Sequence, residues 1–180
     1  GHFDDNEIDH YGKVLQYCHD NGVTPVVTMH HFSSPKWLIS EGGWENEKTV
    51  EYFTNYCTYV VSKLGNLMGY VCTINEANMG LQIASISKSI MKRMGITPQV
   101  GMNFDQMIEK FMPPERILQR KEVAEAFGFD NPNDVHDFLS VRTAEGDLMT
   151  MRAHEVARDA MKKICPHLRI GLTLSLHDLQ

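Results

Sequence analysis

Two periodicities alternate along the chain. In residues 4–20, DDNEIDHYGKVLQYCHD, Ile8, Tyr11, Val14/Leu15 and Cys18 recur at helical spacing, with N-cap oxygens at Asp4 to Asn6 and a stop at Asn21-Gly22. Residues 23–32, VTPVVTMHHF, are β-branched and almost continuously apolar, as strands buried on both faces are. A loop over 33–45 is punctuated by Pro35 and Gly42-Gly43. A helix over 47–64 carries Val50, Phe53, Cys57, Val60/Val61 and Leu64 on one stripe and ends at Gly65. A second strand, YVCTINE, covers 70–76. Downstream, 147–164 reads as a helix with Leu148, Met151, Ala157, Met161 and Ile164 on its apolar side, stopped by Pro166, and LRIGLTLSL, 168–176, as a third strand.

Strands that alternate with helices imply parallel βα units, and so an α/β fold, either an eight-fold barrel or an open doubly wound sheet. The segment of roughly 79–146 departs from this rhythm. It holds Met79, Met91, Met94, Met102, Met107 and Met112, is divided by Pro98, Pro113-Pro114 and Asn131-Pro132, and has its clearest helix at 114–128. Such a Met-rich helical insert can be a lid over a pocket or a packed excursion filled with adaptable side chains.

Composition narrows the function classes. The 180 residues suffice for one domain with a core, read here as a single domain over 1–180. Seventeen basic against twenty-three acidic residues give a net charge of −6, which argues against nucleic acid and against an anionic membrane as partners. No apolar run approaches the roughly 20 residues of a membrane span. Cys18, Cys57, Cys72 and Cys165 form no CxxC pair and sit among apolar residues, which fits buried thiols in a reducing, cytoplasmic setting better than disulfides or zinc. The start at Gly1-His2-Phe3-Asp4, without Met, reads as the middle of a longer protein. There is no GxGxxG and no P-loop, so no nucleotide cofactor is expected.

Both α/β architectures gather functional side chains at the C-terminal ends of their strands. His30-His31 and Asn75-Glu76 fall there. A carboxyl at the rim of a dry pocket can act as a general acid, and an adjacent amide can hold a substrate hydroxyl, a division of labour that suits sugar chemistry. The histidine pair can equally be a satisfied core histidine or part of a metal site whose other ligands are not evident. His154-Glu155 begins like a zinc helix motif, but Arg158 stands where HExxH needs histidine, so His154 reads as a supporting core histidine and no metal is expected. Trp37 and Trp44 read as packing or as walls of a sugar site.

The stretch VTPVVTMHHFSSPKWLISEGGWENEKTVEYFTNYCTYVVSKLGNLMGYVCTINEAN resembles glycoside hydrolase family 1, the β-glucosidase-like (β/α)8 barrels. The family pattern of a strand ending His-Trp, then Pro, Gly-Gly-Trp, a helix and Asn-Glu-Pro is followed in order and spacing, with departures at the Trp and the final Pro. The likeness covers 1–78 and about 145–176, and is poor over the insert. It implies a partial TIM barrel, about the third to fifth strands with their helices. It also implies Glu76 as general acid/base, Asn75 as the partner of the sugar 2-hydroxyl, His31 as a sugar-binding histidine, and Phe32 as a hydrophobic wall where the family has Trp. Ala77 replaces the usual Pro, and Ser175 stands where Asn is common. The family's nucleophile lies in a Glu-Asn-Gly context that is absent here, because Glu45-Asn46-Glu47 is a helix start. The resemblance thus implies part of a retaining β-glycosidase with a small β-glycoside substrate and no cofactor. The chain by itself should then be inactive and marginal, since three barrel strands leave two unpaired edges. A non-catalytic carbohydrate-binding or interaction protein derived from the barrel, and a 6-phospho-β-glycosidase, are the alternatives.

Overall fold

The computed structural model describes residues 2–93, 95 and 112–176. Helix α1 (Asp5–Asp20) leads into strand β1 (Val26–His30). The short helix α2 (Lys36–Ser40) and a 3-10 turn (Gly43–Glu45) precede helix α3 (Lys48–Leu64) and strand β2 (Tyr70–Ile74). Helices α4 (Met79–Arg93) and α5 (Pro114–Phe127) follow, then α6 (Ala144–Ile164) and strand β3 (Arg169–Gly171). The expected insert break at Pro98 and its residues Met94, Met102 and Met107 lie outside the described residues.

The described strands form one parallel sheet in the order β1-β2-β3, with Thr28 opposite Cys72 and Cys72 opposite Gly171. Alternation along each strand divides its side chains between two faces. Met29, Val71 and Thr73 are buried, with Val27, Ile170 and Leu172 packed at the margin of the core. On this side α3 and α6 lie against each other, and the Thr73 hydroxyl reaches His154 of α6 at 2.7 Å. The opposite face is bare toward the start of the strands, with Val26 69% and Tyr70 41% exposed, and buried toward their tips at His30, Cys72 and Ile74. Parallel strands in chain order with both long helices on one face form an arc of the kind a barrel is made from.

The α3 stripe packs as its spacing predicts, with Phe53, Cys57, Val60, Val61 and Leu64 buried. Each large apolar side chain fully buried there contributes about 1.5–3 kcal/mol. The expected stripe of α6 is only half right. Ala157 and Met161 are buried, but Leu148 (70%), Met151 (44%) and Ile164 (46%) are exposed. The buried side of α6 is Gly146, Thr150, Ala153, Ala157 and Met161, mostly small residues, and the helix packs against α3.

Two loop features differ from the expectation. The segment 33–45 is not plain loop but holds α2 and the 3-10 turn. Gly42 and Gly43 have φ of 101° and 56°, a left-handed pair that glycine adopts without a Cβ penalty. The turn drives Trp44 to 1% exposure and lets the buried Thr49 hydroxyl donate to the Gly43 carbonyl at 2.6 Å. Gly65 ends α3 as expected, standing as its C-cap, and a 3-10 turn over Gly65–Leu67 follows. Glu45, read as part of a helix start, instead caps α6: its carboxylate accepts the Thr143 N–H at 2.7 Å and the Thr143 hydroxyl at 2.6 Å. The strands are shorter than the runs 23–32, 70–76 and 168–176 because only the stretches with a paired neighbour hold ladder geometry.

Candidate active site

The predicted residues gather where β1, β2 and the chain beyond β3 end. The Asn75 N–H donates to the His30 carbonyl at 2.9 Å, drawing the tips of β1 and β2 together. His31 is exposed and meets Phe32 edge-on, with ring centroids 4.8 Å apart. Phe32 is half-buried and stacks on Phe138 at 5.9 Å. Asn75 and Glu76 are half-buried at the end of β2. Phe32 and Glu76 are the non-glycine residues with positive φ among those described, at 68° and 49°. For an L side chain this conformation costs about 1–2 kcal/mol, so the surroundings must hold it.

At Glu76 much of that hold comes from a residue the sequence did not single out. The Thr173 hydroxyl accepts the Glu76 N–H at 2.9 Å and donates to Asn75 Oδ1 at 3.1 Å. Thr173 also accepts the Ala77 N–H on its carbonyl at 3.0 Å and donates its own N–H to the Ile74 carbonyl at 3.2 Å. Ala77, in place of the family's Pro, thereby gains a physical account: proline has no N–H and could not make this bond. Ser175 is buried and tied to the same region, its N–H donating to Asn78 Oδ1 at 2.8 Å and its carbonyl accepting from Asn78 and Gln82.

Beneath the tips lies a buried cation, also unmarked in the sequence. Arg142, its side chain 1% exposed, donates to the Ala77 carbonyl at 2.7 Å, to the Phe138 carbonyl at 2.9 Å and to Asp147 at 2.9 Å. Its guanidinium also lies 4.7 Å from the Phe138 ring centroid. Gly80 makes room for it, since a Cβ there would stand 3.0 Å from the guanidinium carbon. Arg142 thus ties the residue after Glu76 to the ring that backs Phe32.

The histidine pair separates into two roles. His30 is the core member, 7% exposed among Trp44 (4.8 Å), Phe138 (4.5 Å) and Phe53 (6.5 Å), with Nε2 3.2 Å from the Ser34 hydroxyl. Burial, then the Arg142 cation, then His31 hold its pKa down from 6.5 to about 4, so it is a neutral ring at neutral pH. His154 behaves as the supporting histidine expected, half-buried on Thr73, with burial the first cause of its lowered pKa. Trp44 is core and lines no site, while Trp37 is 41% exposed and edge-on to Tyr52. Among the described residues, no group of three or more His, Cys, Asp or Glu could hold a metal ion. A shallow concavity of the described residues lies lower on the bare face, against Val26, Tyr70, Cys72, Arg169 and Ile170. That hollow is apart from Glu76, and the chemistry of the strand tips gives it no role.

Known proteins match this arrangement. Over 79 residues the chain is 39% identical to the cytosolic β-glucosidase of Cavia porcellus, covering 44% of this chain and 17% of that protein. Over 69 residues it is 36% identical to the 6-phospho-β-galactosidase of Staphylococcus haemolyticus, covering 38% of this chain and 14% of that protein. The crystal structure of β-glycosidase BGL167 superposes with a TM-score of 0.73 at 35% identity, over 97% of this chain and 37% of that one. The chain therefore spans about a sixth of the length of the curated relatives and over a third of the solved structure. The structural likeness runs well past residue 90, where the match to the family model ends. No helix among the described residues is long and apolar enough to cross a membrane. The family model of glycosyl hydrolase family 1 matches residues 1–90, half of the chain and all of the first two strand tips, and the chain belongs to that family.

Proposed function

We propose that this chain forms part of a retaining β-glycosidase in which Glu76 is the general acid/base. Asn75 and His31 hold the sugar, Phe32 walls it, and the substrate is a small β-glucoside or a related β-glycoside. The observation that carries this is the pair of left-handed, non-glycine residues, Phe32 and Glu76, at neighbouring strand tips. Strain of that kind persists where a side chain must be aimed, and both side chains are among those the family's motif assigns to the sugar site. Relatives named for β-glucosidase and 6-phospho-β-galactosidase activity support the reading.

In the reaction Glu76 would protonate the glycosidic oxygen as the bond to the sugar breaks, and a carboxylate would take the sugar as a covalent ester. Glu76, now ionised, would then take a proton from the water that releases the sugar. The two carboxyls of such a site stand about 5–5.5 Å apart. The second would come from outside these 180 residues, so the chain alone would not turn over.

The test is Glu76→Gln in the full-length protein. Its kcat/KM for a methyl β-glycoside should fall by about 10²–10⁴-fold, the usual range for a lost general acid. A dinitrophenyl β-glycoside, whose leaving group departs without a proton, should lose far less. Wild-type turnover of the methyl glycoside by the variant would refute the assignment.

A further inference from the structure

One residue beyond the third strand contacts both members of the proposed acid/amide pair. Thr173 accepts the Glu76 N–H on its hydroxyl at 2.9 Å and the Ala77 N–H on its carbonyl at 3.0 Å. The peptide groups on the two sides of Glu76 are therefore both held by Thr173. Rotation between those two groups is what φ and ψ of Glu76 describe, so fixing them helps fix the residue at φ 49°. The same hydroxyl gives its one proton to Asn75 Oδ1 at 3.1 Å. That leaves the NH2 of Asn75 as the end free to donate to a sugar hydroxyl.

We propose that Thr173 is the positioning residue of the site, its hydroxyl setting the direction of the Glu76 carboxyl and the orientation of the Asn75 amide. This rests on the reading of Glu76 as general acid/base. Valine has nearly the shape of threonine but neither accepts the Glu76 N–H nor donates to Asn75, whereas serine keeps the hydroxyl.

The experiment compares Thr173→Val, Thr173→Ala, Thr173→Ser and Glu76→Gln in the full-length protein on two substrates, a methyl and a dinitrophenyl β-glucoside. The value read is kcat/KM, which for a retaining enzyme reports steps up to formation of the glycosyl-enzyme. Loss of the hydroxyl should lower the value for the methyl glucoside by about 10- to 100-fold, the scale of a misplaced catalytic group. The dinitrophenyl glucoside should lose less, because it does not need the proton from Glu76, and the ratio of the two values should fall by about tenfold. Thr173→Ser should restore the ratio. A fall of equal size on both substrates in Thr173→Val and Thr173→Ala, no fall, or no recovery with serine would overturn the assignment. If Glu76→Gln itself leaves the methyl glucoside unaffected, the acid/base reading fails. If Glu76→Gln shows the loss and the valine and alanine variants do not, only the role of Thr173 fails.

Discussion

Replacing His30 with Phe is expected to remove much of the acid sensitivity of this region. The His30 ring is 7% exposed, its Nδ1 has no hydrogen-bond partner among the described residues, and its Nε2 lies 3.2 Å from the Ser34 hydroxyl. Burial, the Arg142 cation and His31 place its folded pKa at about 4, against 6.5 for an exposed histidine. The folded value is the lower one, so between the two the unfolded chain binds a proton that the folded chain refuses. Stability from His30 is therefore fully present above pH ~6.5 and is lost as pH falls toward about 4. At 1.36 kcal/mol per pH unit the gap is worth about 3 kcal/mol. Phe fits an aromatic cluster of Trp44, Phe53 and Phe138 and carries no titrating group. Urea unfolding of both proteins, followed by tryptophan fluorescence between about pH 7.5 and 4.5, gives the difference in stability at each pH. Shared contributions, including that of His154, cancel in that difference. The wild type should lose stability relative to His30→Phe as the medium is acidified, by an amount approaching 3 kcal/mol. Curves that stay parallel across the range would refute the reasoning.

Two further outcomes follow from the packing beneath the tips. Arg142→Met should destabilise by about 3 kcal/mol in chemical denaturation, the low end for breaking a buried pair, because the Asp147 side chain left behind is 17% exposed and partly solvated. Gly43→Ala should cost at least about 2 kcal/mol, read as a shift in the thermal midpoint, since φ is 56° there and a Cβ would stand 2.1 Å from the His136 carbonyl oxygen.

Much of the α/β order was legible because periodicity reports one-sided burial, and α3 shows this at Phe53, Cys57, Val60, Val61 and Leu64. The same rule misplaced half of α6. Its buried side includes Gly146, Thr150 and Ala153, residues that hydrophobicity hardly marks. The larger Leu148, Met151 and Ile164 drew attention to sides that are exposed. Asn75 and Glu76 were legible as polar residues ending an apolar strand. The split between His30 and His31 was not, because adjacent identical residues differ only in which way the chain turns, and that is decided by Phe32 at φ 68° and the ring of Phe138 more than 100 positions away. Thr173 and Arg142 were invisible for a related reason. Each acts across 65 to 98 residues of sequence, and neither residue type is unusual in its local context.

Arg142 has a consequence for chimeras. The tie on the carbonyl that follows Glu76 is a single guanidinium delivered from the far end of a long excursion, with Phe138 and Asp147 as its seat. Swapping the intervening stretch between homologues should leave the strand tip in place when the downstream junction falls before Phe138. A junction placed between Phe138 and Asp147 would pair the tip with a foreign anchor. The useful boundary for recombination is therefore marked by this side-chain cluster and not by the start of the helix at Ala144.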